Sequence, residues 1–167
     1  MRQMTRKDYN NGVKLWADDV YRYAADSCGD PETAKDGVQE AFAALWEHRD
    51  QVSTDKGKAF LMSVVHNWAM SLHRHAKVHQ ENAYNLMGET VALPDTSFDL
   101  REALQTAAAQ LPEIQRSALM LKDVEGFSCH EIGEILHLSE SQVSVYLFRA
   151  RVTMKKSLIA LGYDNNK

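Results

Sequence analysis

Along most of this chain apolar residues recur every three to four positions, the spacing that places them on one face of an α-helix. Val13, Trp16, Val20, Tyr23 and Ala24 mark the first such stripe, in a helix expected over residues 5–27. Gly29 ends it, and Asp30-Pro31 opens the next, because Asp is a favoured N-cap and Pro a favoured first helical residue. This second helix is expected to run to about Glu47. Val38, Phe42 and Leu45 share one of its faces, and Asp36, Glu40, Ala43 and Glu47 another. Residues 48–57 are polar and without period, so they read as a loop. A third helix follows over 58–79, with a broad apolar stripe of Phe60, Leu61, Val64, Val65, Trp68 and Leu72.

Residues 80–98 break the pattern. They contain Gly88 and Pro94, show no sustained amphipathicity, and read as a linker between a first unit at 1–79 and a second at 99–167. Helical spacing resumes at Asp99 and stops at Leu111-Pro112, since a residue before Pro avoids the helical region. Another helix is expected over 112–124, ended by Glu125-Gly126. Ser128-Cys129-His130-Glu131 and Ser139-Glu140-Ser141-Gln142 are then two capping boxes in succession. The first opens a short helix carrying Ile132, Ile135 and Leu136, and the second a helix to about Leu161 that buries Val143, Leu147, Ala150 and Met154. Two capped helices joined by a tight turn have the layout of a helix-turn-helix. The expected fold is all-α: two small helical domains on a flexible linker, the second with this motif.

Charge sharpens the picture. The net charge of −4 argues against a protein that simply coats DNA. Yet the excess is local: residues 80–100 carry four acidic and no basic side chains, residues 101–140 three basic and seven acidic, and residues 141–167 five basic and one acidic. The C-terminal helix is thus an electropositive surface inside a second unit, residues 101–167, whose own charges cancel. Its outward face offers Ser141, Gln142, Ser144, Val145, Phe148 and Arg149, short polar, amide, apolar and Arg groups of the kind that read major-groove edges. Arg151, Lys155 and Lys156 follow, placed to neutralise phosphates. Two cysteines, Cys28 and Cys129, are too few for a disulfide framework and suit a cytoplasmic chain. No apolar run approaches the roughly 20 residues of a membrane span, and the first residues lack the apolar core of a signal peptide. His66, His73, His75 and His79 lie near one helix, but no Cys or carboxylate at ligand spacing completes a set, so no metal or cofactor is expected.

Two sets of residues together resemble a known family. Leu111-Pro112, Glu125-Gly126-Phe127-Ser128, Glu131-Ile132, Leu138-Ser139 and Phe148-Arg149-Ala150-Arg151 resemble the −35-reading region four of bacterial sigma factors. Gly29-Asp30-Pro31-Glu32, Asp36-Gly37-Val38-Gln39-Glu40-Ala41-Phe42 and Trp46 resemble sigma region two, and Phe60-Leu61 with Val65-His66-Asn67 the segment after it. Their order and the chain length are similar to those of the two-domain extracytoplasmic-function sigma factors. The resemblance implies that Asp36, Gln39, Glu40 and Ala43 dock on the clamp helices of the polymerase largest subunit. It implies that Lys56, Lys58, Asn67, Trp68 and Arg74 engage the −10 element, with Lys77 on phosphate. It implies that Ser141, Gln142, Ser144, Val145, Phe148, Arg149, Arg151 and Lys155 engage the −35 element. The implied partners are core RNA polymerase, including its flap region, promoter DNA and an anti-sigma protein.

The chain departs from the family pattern at Ser63 and His66, where Arg is frequent, and at His137, where the turn often has Gly. His tolerates a left-handed backbone, so the turn is expected to survive. Trp68 reads equally as a stacking platform and as core. A stand-alone helix-turn-helix regulator remains the alternative, fitting the second half of the chain but not the first. An enzyme is disfavoured, because no nucleophile triad or Gly-rich phosphate loop is present.

Overall fold

The computed structural model describes residues 2–80, with side chains to Lys77, and residues 100–163. Seven α-helices follow in order: α1 (Arg6–Cys28), α2 (Pro31–His48), α3 (Gly57–Gln80), α4 (Leu100–Ala109), α5 (Glu113–Leu119), α6 (Cys129–Leu136) and α7 (Glu140–Ala160). No strand occurs among the described residues; one isolated antiparallel bridge joins Gln3 to Ser53. Of the acidic segment expected to link the two halves, Gln80 closes α3 and residues 81–98 lie outside the described residues.

Helices α1, α2, α6 and α7 start on one local device, a side-chain N-cap. The Asp30 carboxylate accepts from the Thr33 amide at 3.1 Å, and Pro31 begins α2. Ser128 and Glu131 satisfy each other's backbone amides at 3.1 and 2.8 Å. Ser139 and Gln142 do the same for α7 at 3.1 and 2.9 Å. Such caps fill donors that an open helix end leaves orphaned. Ser139→Ala is therefore expected to cost about 1 kcal/mol, read as a lower urea midpoint at unchanged slope.

The helix expected over 112–124 changes character part-way. After Leu119 the backbone widens into one π-turn, Met120–Val124, in which the Glu125 amide donates to the Met120 carbonyl at 3.0 Å. Gly126 then takes a left-handed φ of 76°, and the Phe127 amide closes the end on Leu121 at 2.9 Å. The extra residue in the turn places Glu125 against the first half of the chain. The expected loop 48–57 also differs: it holds a 3-10 turn at Thr54–Lys56, and Val52 and Ser53 are buried, pinned by the bridge from Gln3.

The helices α1, α2 and α3 pack together, as do α4 to α7, and α3 lies against α6. Val20, Tyr23, Leu61 and Val65 from the first group join Leu121, Phe127 and Ile135 from the second in one continuous apolar cluster. The two halves thus share a buried seam.

Candidate nucleic-acid interface

Helix α7 carries the clearest surface. Val143, Leu147 and Ala150 are buried on its inner side against α5 and α6. Ser141, Gln142, Ser144, Val145, Phe148, Arg149, Arg151 and Lys155 are all exposed. Phe148, an aromatic ring 69% exposed, and Val145 beside it form an apolar strip among polar groups, which suits contact with a thymine methyl. Arg151 is tied to Asp123 at 2.9 Å, a pair open to solvent and so of small energetic weight. The turn before α7 is set by His137 in the left-handed conformation, φ 59° and ψ 47°, with the Leu138 amide on the Gly133 carbonyl at 2.9 Å. His130 ties the two helices across that turn, its ring nitrogens 3.2 Å from Glu134 and 3.0 Å from Glu140.

On α2, Asp36, Gln39, Glu40 and Ala43 are exposed together, while Ala34, Gly37, Ala41, Phe42 and Leu45 face inward. Asp36, Gln39 and Glu40 make no hydrogen bond or ion pair with a described residue. That leaves a polar strip on a rigid support, free to meet another surface.

The third set is divided. Lys56, Arg74 and Lys77 are exposed. Lys56 borders a cleft of about 370 Å³ lined by Val52, Ser53 and Phe60 on one side and by Glu134 and Ile135 of α6 on the other. Lys58 turns away into an ion cluster, 2.9 Å from Asp19 and 3.0 Å from Glu125. Asn67 lies 3.3 Å from the His137 ring. Trp68 is half-buried with its ring over Gly37, where an added Cβ would stand 2.6 Å from the ring. Close packing of α2 on α3 holds it there.

Further pairs line the same seam. Arg22 reaches Glu125 at 2.7 Å and Asp19 at 3.0 Å. Arg116 lies 3.5 Å from Asp26, and His73 lies 2.9 Å from Glu113 and 2.8 Å from the Ser27 carbonyl. His66 is buried, and that burial, with the His137 charge nearby, lowers its pKa below the usual histidine value. The hydrogen bond to Lys58 helps hold the Asp19 carboxyl below its usual range. No group of histidine, cysteine and carboxylates among the described residues could hold a metal ion.

The family model for sigma-70 region 2 matches residues 13–78, and that for sigma-70 region 4 matches residues 101–154. The chain belongs to the sigma-70 family of sigma factors, carrying its regions 2 and 4 in that order. It is 27% identical to the ECF RNA polymerase sigma factor SigM of Bacillus subtilis, over 85% of this chain and 90% of that one. It is 26% identical to SigW of the same organism, over 87% of this chain and 86% of that one. Among solved structures, the sigma factor RpoE in complex with the anti-sigma factor NepR from Bartonella quintana shares the fold, with a TM-score of 0.77 at 22% identity over 92% of this chain and 98% of that one. This chain is an alternative sigma factor, which directs promoter recognition and transcription initiation.

Within that family frame, the residues sequence reasoning missed are those of the seam. Glu125 and Arg22 stand 103 residues apart, so no spacing rule could pair them. Phe60 reads in sequence as part of a helical stripe and of the family resemblance, without a site role, yet it lines the cleft beside Lys56. The local signal for the cleft is the aperiodic loop itself, since Val52 and Ser53 come from it.

Proposed function

We propose that this sigma factor divides its work over three faces. The exposed strip Asp36, Gln39, Glu40 and Ala43 of α2 docks on the clamp helices of core polymerase. Lys56, Lys58, Asn67 and Arg74, with Lys77, serve the −10 element, whose opening requires capture of unstacked bases and cations along the backbone. Trp68 is assigned to packing of α2 on α3. The outer face of α7, Ser141 to Lys155, serves the −35 element, with Arg151 and Lys155 on phosphates. The chain acts in the cytoplasm and catalyses nothing itself. An anti-sigma protein is a further partner, by analogy with the relative solved in complex with one.

The observation that carries the reading is the outer face of α7. Every residue expected there to meet DNA is exposed, on a helix fixed by a capped helix-turn-helix. The test is run-off transcription from genomic fragments with core polymerase of the same source, against core alone. Discrete transcripts that require this chain are expected. Phe148→Ala with Arg149→Ala should weaken promoter use by roughly ten-fold or more with core binding unchanged, since a side chain that reads a base edge is worth about 1–3 kcal/mol. Absence of both transcripts and core binding would return the chain to the stand-alone regulator.

A further inference from the structure

Lys58, one of the cations expected to serve the −10 strand, is held in this fold by a carboxylate of region four. Glu125 is the centre of that contact. Its side chain is 1% exposed, and both oxygens are engaged, by Arg22 at 2.7 Å and Lys58 at 3.0 Å. Asp19 completes a cluster of two cations and two anions. A carboxylate this deeply covered persists only where cations and hydrogen bonds replace its water. The Lys58 ammonium also sits 5.7 Å over the Phe127 ring, again a residue of region four. Further along, Glu134 and Ile135 of α6 close one side of the cleft beside Lys56. The Glu131 carboxyl, held below its usual range first by the Ser128 amide, is also lowered by the Lys56 charge. Asn67 meets His137 of the helix-turn-helix turn.

We propose that in the free chain segment 125–137 of region four covers the single-strand face of region two, its carboxylates standing where DNA phosphates would lie. The sigma factor is thereby closed on itself, and a −10 strand and region four compete for Lys58, Asn67 and the Lys56 cleft. This rests on the reading of Lys56, Lys58 and Asn67 as −10 residues. The competition has a physical basis. Lys58 already holds two carboxylates, Asp19 at 2.9 Å and Glu125 at 3.0 Å, so a phosphate gains that site by displacing Glu125, and because both are anions the exchange leaves the buried charge balanced. The enclosure of Glu125 makes the covered state specific rather than a loose collision of surfaces. Opening must uncover the apolar cluster that Leu121, Phe127 and Ile135 share with Val20, Leu61 and Val65, so while the Glu125 ion pairs are intact it requires a competing partner, and removing those pairs lowers that requirement.

The test compares the full chain with a Glu125→Gln/Glu134→Gln variant, by small-angle scattering and by binding of a fluorescent mixed-sequence single-stranded 20-mer. A Glu32→Gln/Glu102→Gln variant carries the same charge change away from the seam. The expected result is a larger scattering radius for the seam variant at unchanged helix content. Single-strand binding should tighten about five-fold or more beyond the charge control, the lower range of coupling between linked sites. That gain should vanish when Lys56→Ala and Lys58→Ala are added. An unchanged radius overturns the closure by these carboxylates, and the −10 reading then stands or falls on whether Lys56→Ala with Lys58→Ala weakens strand binding. A larger radius with no gain over the charge control overturns the competition. If the lysine changes also leave binding unaffected, the −10 reading fails with it.

Discussion

Gly133→Ala is expected to destabilise the chain by about 1–3 kcal/mol, although alanine is the better helix former by about 1 kcal/mol. A Cβ built at Gly133 would stand 2.5 Å from the Leu138 carbonyl oxygen, well inside contact distance. The obstacle is backbone, so no side-chain rotation relieves it. Overpacking of this kind costs about 1–3 kcal/mol. Forcing the turn outward also threatens the bond from the Leu138 amide to the Gly133 carbonyl, worth about 1 kcal/mol. The two losses exceed the gain in propensity, so the sign of the change separates turn geometry from helix preference. The displacement would fall where α6 hands over to α7, and every residue on the outer face of α7 would move with it. A lower urea midpoint together with loss of promoter-dependent run-off transcripts is the expected outcome. Equal or higher stability would mean that α6 and α7 are not locked at this point.

The elements that were legible in the sequence are those set by neighbours in the chain. Asp30-Pro31 announces a helix start because a carboxylate and a fixed φ act within one turn, and α2 begins there. The two capping boxes place α6 and α7 for the same reason. His137 in the left-handed conformation follows from its position between two capped helices. The outer face of α7 was legible too, since Val143, Leu147 and Ala150 fix which side turns inward. What sequence could not show depends on atoms brought together by the fold. The π-turn at 120–124 has no compositional mark, yet it carries Glu125 to Arg22 and Lys58. Lys58 looks in sequence like a free cation beside an open loop, and only the packing of the two halves shows it partnered. Trp68 was ambiguous because a large ring at helical spacing suits both a core and a platform, and its seat over Gly37 is a tertiary fact.

The three faces differ in how they are supported, and that decides what each substitution reports. The α7 face stands on a motif held by local bonds, so changes there are expected to report on the proposed DNA contact with little effect on the fold. The face around Lys56 and Lys58 is shared with the seam, so a change at Lys58 is expected to alter strand binding and closure together, which is why the seam is best probed from Glu125. The α2 face is free of both entanglements.

Glu40→Lys combined with Ala43→Arg is therefore expected to weaken binding to core polymerase roughly thirty-fold or more, with no measurable loss of stability. Both residues are exposed and Glu40 is unpaired, so the substitutions remove nothing that holds α2 in place. Exposed helix positions of this kind change stability by about 0.5 kcal/mol or less. The inward side, with Ala41, Phe42 and Leu45 buried, keeps the helix seated. Binding is affected differently. Reversing one charge and adding another on a strip that must match a partner replaces attraction by repulsion, and central interface residues cost about 2 kcal/mol or more when truncated. Two kcal/mol is a factor of about thirty in affinity. Immobilised core polymerase with labelled variants gives the affinity, and urea unfolding of the same preparations gives the stability. Gln39→Ala, which removes an amide without adding charge, should fall between wild type and the double variant. If the double variant binds core normally, α2 does not dock through this strip, and the reading of Asp36, Gln39, Glu40 and Ala43 as the polymerase face is wrong. If it unfolds instead, Glu40 and Ala43 carry packing that their exposure does not reveal, and Gln39→Ala decides the question alone.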